Sequence, residues 1–576
     1  MATQAARQAH NKTAIRRTVK VGFKKVFPNP NIAGMVQRAV KLATPIVQQA
    51  HLLANLHVLR MCEAGLQLPP LDITFWNRCM CAVSEATEGS ADYDPAVDPA
   101  LTASLAFYDT SVPINSARPQ RPAFIKSVIS EANKLAVTNF KNHVAVNFFS
   151  RTKLWIELHL SNTQLPQPQA IQYFSGLPRR QLQSWSSLIT RCGTNPQHTI
   201  AGLLPIYTSL AAPSPAAWTH AQALVTHLQA RIPVPATSDS INANPHLYLP
   251  WMWEMLQDIE FWAAAYEPGS KLFSMVPQCG NQTRFITMTS TCLHRLLHFS
   301  PQRPNSLPNL SHGNSTAFIA HQDIWWLAHT RCMAFAQRHR QHWNFGYHVS
   351  TDGVSVSIGF ELEAPVPGQP LHPYRLAQLA PSGQPQPVQG VLGPFLHNLQ
   401  SAPRIVGIDP GRINIYTAVV HTPQAAQTLQ QPSPVKYQTL KCTAASFREQ
   451  SGANARTAKV AKWLKTDRPV SQAIKGMPSA HTSSSQAFSH HCSYRLQHSH
   501  LIASHFTSRR YKTLRWETYN RKQRALAMLC NSVTAGNKDT VVAFGNAGFA
   551  HNSRGLCCCV QTQHCQRQQL CLCCLL

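Results

Sequence analysis

One aspartate stands where a hydrolytic metal site could form. The segment RIVGIDPGRINIYTAVVH covers residues 404–421, and its IVGI part predicts a short buried strand with Asp409 at the end. The β-branched residues from Ile415 to Val420 predict a second strand running back. A rigid sheet fixes oxygen ligands, and the hairpin leaves room for a phosphate between two Mg²⁺ ions. We therefore take Asp409 as the candidate catalytic residue and metal ligand.

The alternative is that Asp409-Pro410-Gly411 forms an ordinary turn, because all three residue types favour turns. Gly407 before the motif, Asn414 after it and predicted strands on both sides favour the catalytic interpretation.

A later strand bears on the same chemistry. TVVAFGNAGF (540–549) predicts another apolar strand, and a two-metal nuclease is expected to carry its next acidic ligand at or just beyond it. Asn546 holds that position, and no Asp or Glu follows Asp539. A neutral amide binds Mg²⁺ weakly and does not offset its charge, so this substitution counts against cleavage.

A predicted helix at about 494–533 offers a binding surface. It follows a Ser/His-rich break at 479–493, which separates it from a shorter helix at about 454–466. Aromatic residues lie between its basic residues, which are Arg509, Arg510, Lys512, Arg515, Arg521, Lys522 and Arg524. Such a pattern can hold a phosphate backbone while stacking bases, although a solvated helix face would look partly similar.

The first 62 residues form a basic arm, with ten Lys or Arg and no acidic residue. They are predicted to be a polar lead-in, followed by an apolar helix from about Ile32 to Leu66 that is interrupted at Pro45. A phosphate-contacting arm is favoured over a solvated tail. Its candidate contacts are Arg16, Arg17, Lys24 and Lys25.

The composition agrees with a polyanionic partner. The 576 residues include 52 Lys and Arg against 24 Asp and Glu, which gives a formal charge of +28. No apolar run approaches the ~18 residues of a spanning helix, so nucleic acid is expected rather than a membrane. Of the 17 cysteines, seven lie in the last twenty residues, and their spacing does not predict a disulfide framework.

The rest of the chain is predicted to be mixed. Helices are expected at 124–160, 170–231, 248–266 and 320–341, strands at 271–279 and 435–442, and a loop-rich stretch at 67–120. NFGYHVSTDGVSVSIGFEL (344–362) predicts a hairpin, because Asp352-Gly353 supplies the conformation of a tight turn.

Several of these motifs together resemble the Fanzor proteins, eukaryotic relatives of the transposon-encoded TnpB nucleases. The resemblance is carried by GIDPGRIN (407–414), STDGVSVSI, the basic helix and VVAFGNAGFAHNSRG (541–555). It covers most of residues 120–555 and is looser before the hairpin.

The resemblance implies an α+β multidomain fold: a helical recognition lobe with a small β-barrel, then an incomplete RNase H-like (RuvC) α/β domain. The expected units are a basic N-terminal arm and helix (1–66), a mainly helical recognition lobe with β-barrel elements (67–343) and a hairpin segment (344–363). A Pro/Gln-rich linker (364–403), a partial RuvC-like domain (404–555) and a Cys-rich tail (556–576) follow.

The resemblance also implies a function: RNA-guided, Mg²⁺-dependent cleavage of DNA by a nuclear, monomeric ribonucleoprotein that holds a guide RNA and a target DNA. Asp409 matches the first catalytic aspartate of the family. The zinc ribbon and later catalytic acids expected for the family are missing after Gly555, so the chain is expected to be truncated and inactive as written. The alternative is a non-catalytic remnant that still binds RNA or DNA, and a zinc site in the tail is disfavoured.

Overall fold

The computed structural model describes residues 16–87, 93–111, 118–161, 223, 226–233, 236–265, 272–280, 283–299, 316–338, 343–362, 404–410, 414–421, 438–537 and 540–544. These residues form helices and small sheets, which agrees with the predicted α+β class. Within them, no helix is both long and apolar enough to cross a membrane. The predicted linker (364–403) and Cys-rich tail (556–576) lie outside the described residues.

The first part of the chain is mainly helical. Its helices are α1 (Phe23–Val26), α2 (Pro30–Glu63), α3 (Ile73–Ala82), α4 (Pro99–Ser111), α5 (Lys126–Ser161), α6 (Ser238–Ala243), α7 (Leu249–Ala265), α8 (Ser290–His298), α9 (Thr316–His329) and α10 (Cys332–Arg338). Three short 3-10 helices cover Pro95–Val97, Ala123–Ile125 and Pro245–Tyr248.

Helix α2 differs from its prediction because it continues through Pro45. Proline removes one backbone hydrogen bond from a helix. Here apolar side chains on both sides of it, including Ala43, Ile46 and Val47, are buried in the main core. Burial of this continuous face outweighs the lost bond.

The stretch 67–120 was predicted to be loop-rich and instead contains α3 and α4. Two acidic residues of this stretch, Asp72 and Asp98, cap these helices. Asp72 Oδ1 accepts a hydrogen bond from the Phe75 amide at 3.0 Å, and Asp98 Oδ1 accepts one from the Leu101 amide at 3.0 Å. A carboxylate at this position satisfies an otherwise unpaired amide of the first turn.

The first sheet combines the N-terminal arm with the predicted hairpin. Its order is β1 (Arg16–Gly22), β6 (Ser355–Leu362), β5 (Trp343–Thr351) and β4 (Ile286–Thr289), and all its pairs are antiparallel. The hairpin prediction is confirmed, and Gly353 takes a φ of 78° in its turn. Within the described residues the sheet is open, with β1 and β4 at its edges, so the expected small barrel is not closed. Strands β2 (Glu85–Ala86) and β3 (Gln120–Arg121) form a separate parallel pair.

The second sheet contains Asp409. It comprises β7 (Arg404–Pro410), β8 (Asn414–His421), β9 (Gln438–Thr443) and β10 (Thr540–Phe544), in the order β10-β7-β8-β9. Strands β7, β8 and β9 are antiparallel neighbours, whereas β10 pairs parallel to β7. All four strands were predicted from β-branched alternation, although β10 is shorter within the described residues.

Six helices lie between β9 and β10. They are α11 (Ala444–Gln450), α12 (Ala453–Thr466), α13 (Arg468–Lys475), α14 (Ser485–Gln497), α15 (Ser499–Thr507) and α16 (Arg509–Thr534). The prediction of one long helix over 494–533 was wrong, because the chain breaks at His498 and at Ser508. The predicted break at 479–493 is confirmed only at its start, because residues 479–484 form no helix and α14 begins at Ser485. Ser484 accepts a hydrogen bond from the Ala487 amide at 3.2 Å and so caps α14.

Helix α14 joins the two parts of the molecule. Phe488 and Cys492 are fully buried in the same core as helices α2 and α4. Ser485 donates its amide to Glu63 Oε1 at 2.6 Å, and Ser483 donates its amide to Glu260 Oε2 at 2.8 Å. A segment that lies in sequence between two strands of the second sheet is therefore part of the N-terminal core.

The predicted strand at 271–279 is instead an extended segment at 272–280, held by side chains. His143 Nε2 lies 2.8 Å from the Ser274 carbonyl, and His51 Nδ1 lies 2.9 Å from that of Pro277. These bonds come from α5 and α2, so side chains take the place of a neighbouring strand.

Candidate nucleic-acid interface

Asp409 lies within strand β7, where it pairs with Thr417 of β8. Val406 and Ile408 are buried against Leu529 and Val533 of α16, whereas Asp409 is exposed. Because side chains alternate along a strand, the carboxylate points to the sheet face opposite α16. Asp409 and Pro410 of the turn alternative belong to the ladder of β7 and β8, and Gly411 lies outside the described residues.

The sheet register aligns Asp409 with two further polar side chains. Thr417 pairs with Asp409 on one side and with Lys441 of β9 on the other. Residues that pair directly across neighbouring strands lie on the same face of the sheet, and their Cβ atoms are about 5 Å apart. A carboxylate, a hydroxyl and an ammonium group therefore form one row. Sequence reasoning missed Lys441, because only the register reveals its relation to Asp409.

Helix α16 extends from the second sheet to the first. Its 26 residues span about 39 Å. Near its end Ser532 and Tyr416 share a hydrogen bond of 3.1 Å, and Arg404 Nε donates to the Val533 carbonyl at 3.0 Å. Near its start Arg515 contacts Asp352 in the hairpin turn of the first sheet, with 3.3 Å between Nη2 and Oδ2. Arg509, Arg510, Lys512 and Arg515 therefore lie near the end of α16 remote from the second sheet, and Arg521, Lys522 and Arg524 lie near its middle.

The predicted cations of α16 have different surroundings. Arg509, Arg521 and Arg524 are exposed, and Lys512 and Lys522 are half-buried. Arg510 lies 5.1 Å from the Trp463 ring centre and 3.9 Å from Asp467. Arg515, with 22% of its side chain exposed, is committed to Asp352. The exposed residues Arg509, Arg521 and Arg524 are therefore better placed than Arg515 to bind a phosphate group.

A second basic stripe lies beside α16 and was not among the predicted site residues. Helix α12 packs against α16 and has no buried residue. Its side chains at three-residue spacing are Arg456, Lys459, Lys462 and Lys465. Among the ion pairs of the described residues, none includes these four. The three-residue spacing was the available signal, since successive members are neighbours on the helix surface and the series winds around α12.

The N-terminal candidates divide between two elements. Arg16 and Arg17 lie on β1, paired in register with Glu361 and Phe360. Lys24 and Lys25 are exposed on α1. Within the described residues the arm begins as an edge strand, where a polar lead-in was predicted.

A magnesium pair would need more ligands than the described residues supply. Asp409 is the single carboxylate on the four described strands of its sheet. Nowhere in the described part of the chain do three His, Cys, Asp or Glu side chains converge as metal ligands. Mg²⁺ keeps several waters and can be held by one carboxylate together with substrate phosphates. These residues therefore fit one hydrated ion and not two, and Asn546 lies outside the described residues.

Comparison with known proteins adds no assignment. No protein-family model matches this chain, and no curated protein matches it by sequence. The site is therefore interpreted from its own residues. It combines one exposed carboxylate on a sheet with two basic helices, which suits contact with a phosphate backbone better than with a small apolar ligand.

Proposed function

We propose that this chain is an RNA-guided DNA endonuclease of the Fanzor and TnpB type, which holds a guide RNA and a target DNA. The observation that carries the proposal is the second sheet. Strands β7, β8 and β9 are consecutive antiparallel neighbours, β10 adds parallel to β7, and β7 bears Asp409 near its end. This strand order is the one used by RNase H-like nucleases, so it supports a RuvC-like domain.

The charge distribution supports the same proposal. Lys and Arg exceed Asp and Glu by 28 over the whole sequence, and exposed cations of α12 and α16 lie on adjacent helices. Neutralising phosphates with such side chains releases counterions, which gives strong, salt-dependent binding. In this role the protein acts in the nucleus as a monomeric ribonucleoprotein.

Asp409 is the residue proposed to reach the reacting phosphate. Its carboxylate is exposed and could hold one Mg²⁺ ion, which would neutralise charge on a phosphoryl oxygen. Lys441, in the same row two strands away across Thr417, would orient the same phosphate by its charge. Both act from a sheet face that α16 does not cover.

A second candidate function is nucleic-acid binding without cleavage. It is favoured by the ligand count, because Asp409 is the one carboxylate on the described strands of its sheet. Such a remnant would keep the basic surface on α12 and α16 and therefore the binding.

The test compares Asp409→Ala with the unchanged full chain, purified with its bound RNA. Cleavage of labelled DNA is measured with Mg²⁺, and binding is measured separately by anisotropy. Any cleavage by the unchanged chain should be lost in Asp409→Ala, and binding should stay within about twofold, because Asp409 is exposed on the sheet face opposite α16. Glu85→Ala removes an exposed carboxylate on β2, outside the second sheet and the two basic helices; it is the control and should keep both.

Binding without cleavage by the unchanged chain would select the second candidate. Equal loss of binding and cleavage in Asp409→Ala would make the residue structural and contradict its assigned role. If the unchanged chain binds neither RNA nor DNA, both candidate functions are contradicted.

A further inference from the structure

A small cleft lies where the start of α16 meets the first sheet. Its lining residues are Lys20, Asp352, Val354, Ser355, Lys512, Arg515 and Trp516. Lys20 comes from β1, Asp352 from the hairpin turn, and the last three from α16. The cleft therefore depends on contact between the two halves of the chain.

The one carboxylate of the cleft is already satisfied by the protein. Asp352 is 5% exposed, and its Oδ1 accepts hydrogen bonds from the amides of Val354 and Ser355 at 3.1 and 2.9 Å. Its Oδ2 faces Arg515 at 3.3 Å. The cleft is therefore lined by three cationic side chains and one carboxylate, and that carboxylate already has partners within the protein.

Lys20 is held among aromatic rings at the same place. Its Nζ lies 4.8 Å from the ring centre of Phe285 and 5.3 Å from that of Tyr519. Burial lowers the pKa of Lys20, and nearby Arg515 lowers it further against the opposing effect of Asp352. An anion in the cleft would restore the charge balance that the protein leaves incomplete.

An aromatic platform adjoins these cations. Trp516 and Tyr519 stack on each other with ring centres 5.6 Å apart and 24° between the planes. Trp516 is half-buried and lines the cleft beside Lys512. A flat ring beside an unmatched cation is the combination that holds an unpaired base and its phosphate.

We propose that this cleft binds one phosphate of a single-stranded nucleic acid, with Lys20 and Lys512 contacting the phosphate and Trp516 stacking on the neighbouring base. The inference rests on the proposed nucleic-acid-binding function and names a site within it. Arg515 is the positioning residue, because it holds the Asp352 turn against α16. Paired bases would not fit, since their faces are already stacked in a duplex.

The test uses a ten-nucleotide oligouridylate with a single 5-iodouridine, irradiated with the full chain and mapped by mass spectrometry. The expected crosslink is on Trp516. Trp516→Ala should weaken binding of the fluorescein-labelled oligonucleotide about tenfold, as the loss of one stacked base implies. Lys512→Ala should lower the salt dependence by about one phosphate contact. The matched control is Lys41→Ala, an exposed lysine on α2, which should change neither readout.

Crosslinks confined to other residues, or Trp516→Ala and Lys512→Ala variants that bind like Lys41→Ala, would overturn the cleft while leaving nucleic-acid binding in place. Absence of any oligonucleotide or duplex binding by the unchanged chain would instead overturn the proposed function together with the cleft. Lys512 is not in the core, so its variant remains informative if Trp516→Ala fails to fold.

Discussion

Asn55 and Val276 are joined by two hydrogen bonds. Asn55 Nδ2 donates to the Val276 carbonyl at 3.2 Å, and Asn55 Oδ1 accepts from the Val276 amide at 3.1 Å. Asn55 is 1% exposed and Val276 fully buried, so no water can replace these bonds. One side chain on α2 thus satisfies both backbone groups of a residue 221 positions away.

Asn55→Leu should therefore destabilise the fold. It would leave a buried amide and a buried carbonyl unpaired, which costs about 2 to 4 kcal/mol in the free energy of unfolding. Urea denaturation measures the change. Gln48→Ala is the control, because Gln48 Nε2 donates to the Gly280 carbonyl of the same segment in an exposed position and should cost less than about 1 kcal/mol. Equal effects would show that burial does not set the cost.

The pairing of Arg515 with Asp352 gives a second prediction. Arg515→Ala would leave a carboxylate that is 5% exposed without its guanidinium, although two amides still bind it. We expect a loss of about 1 to 3 kcal/mol in the free energy of unfolding, measured by urea denaturation. Arg509→Ala on the same helix is exposed and should change it by less than about 0.5 kcal/mol. An unchanged stability of Arg515→Ala would mean that the two amides and the Ser355 hydroxyl satisfy Asp352 without Arg515.

Two buried histidines predict a dependence of stability on pH. Burial lowers the pKa of His51 to about 3 and that of His57 to about 4. In the unfolded chain both histidines take up a proton near their ordinary pKa of about 6.5, whereas in the folded chain they stay neutral until the pH is lower. The stabilisation is therefore complete above about pH 6.5 and is lost as the pH falls toward the folded values.

Within that window each histidine should remove about 1.4 kcal/mol of unfolding free energy per pH unit. The double variant His51→Gln, His57→Gln should have a shallower slope between about pH 6 and 5, measured by urea denaturation at each pH. His500→Gln, with an exposed ring on α15, is the control and should keep the original slope. An unaltered slope in the double variant would contradict the assignment.

The stripe on α12 gives a prediction for binding. Replacing Lys459, Lys462 and Lys465 by Ala should weaken binding of labelled DNA and reduce the slope of log affinity against log salt by about one unit per lost contact. Anisotropy titrations at several salt concentrations measure it. Lys41→Ala should leave the slope unchanged. If the triple variant keeps its slope, the nucleic acid runs elsewhere.

Elements held by interactions between residues close in sequence were predicted, and elements held by residues distant in sequence were not. The hairpin at 343–362 and strands β7, β8 and β9 were predicted because alternation and the Asp-Gly turn are local signals. Segment 272–280 was mistaken for a strand, because its partners are side chains of His51, Asn55 and His143, far away in sequence. Composition also misled at α14, where serines and histidines suggested a break, and three of them (Ser485, Ser489 and His491) are buried instead.

The candidate site shows the same division. Asp409 was identified from its flanking apolar residues, and its place in β7 agrees with the prediction. The sequence could not show where Asp409 lies relative to the basic residues of α16. Val406 packs against α16 and side chains alternate along β7, so Asp409 lies on the opposite face of the sheet. Lys441 became visible only through the pairing of β9 with β8.

The burial of α14 in the N-terminal core makes the two parts of this molecule mutually dependent. A protease that cuts within 364–403 should release no free lobe, because Phe488 and Cys492 would still be inserted between the N-terminal helices. Expressed alone, residues 1–363 would expose the apolar surface that α14 covers and should aggregate. Helix α14, which is synthesised late, therefore completes the core of the N-terminal part that is synthesised first.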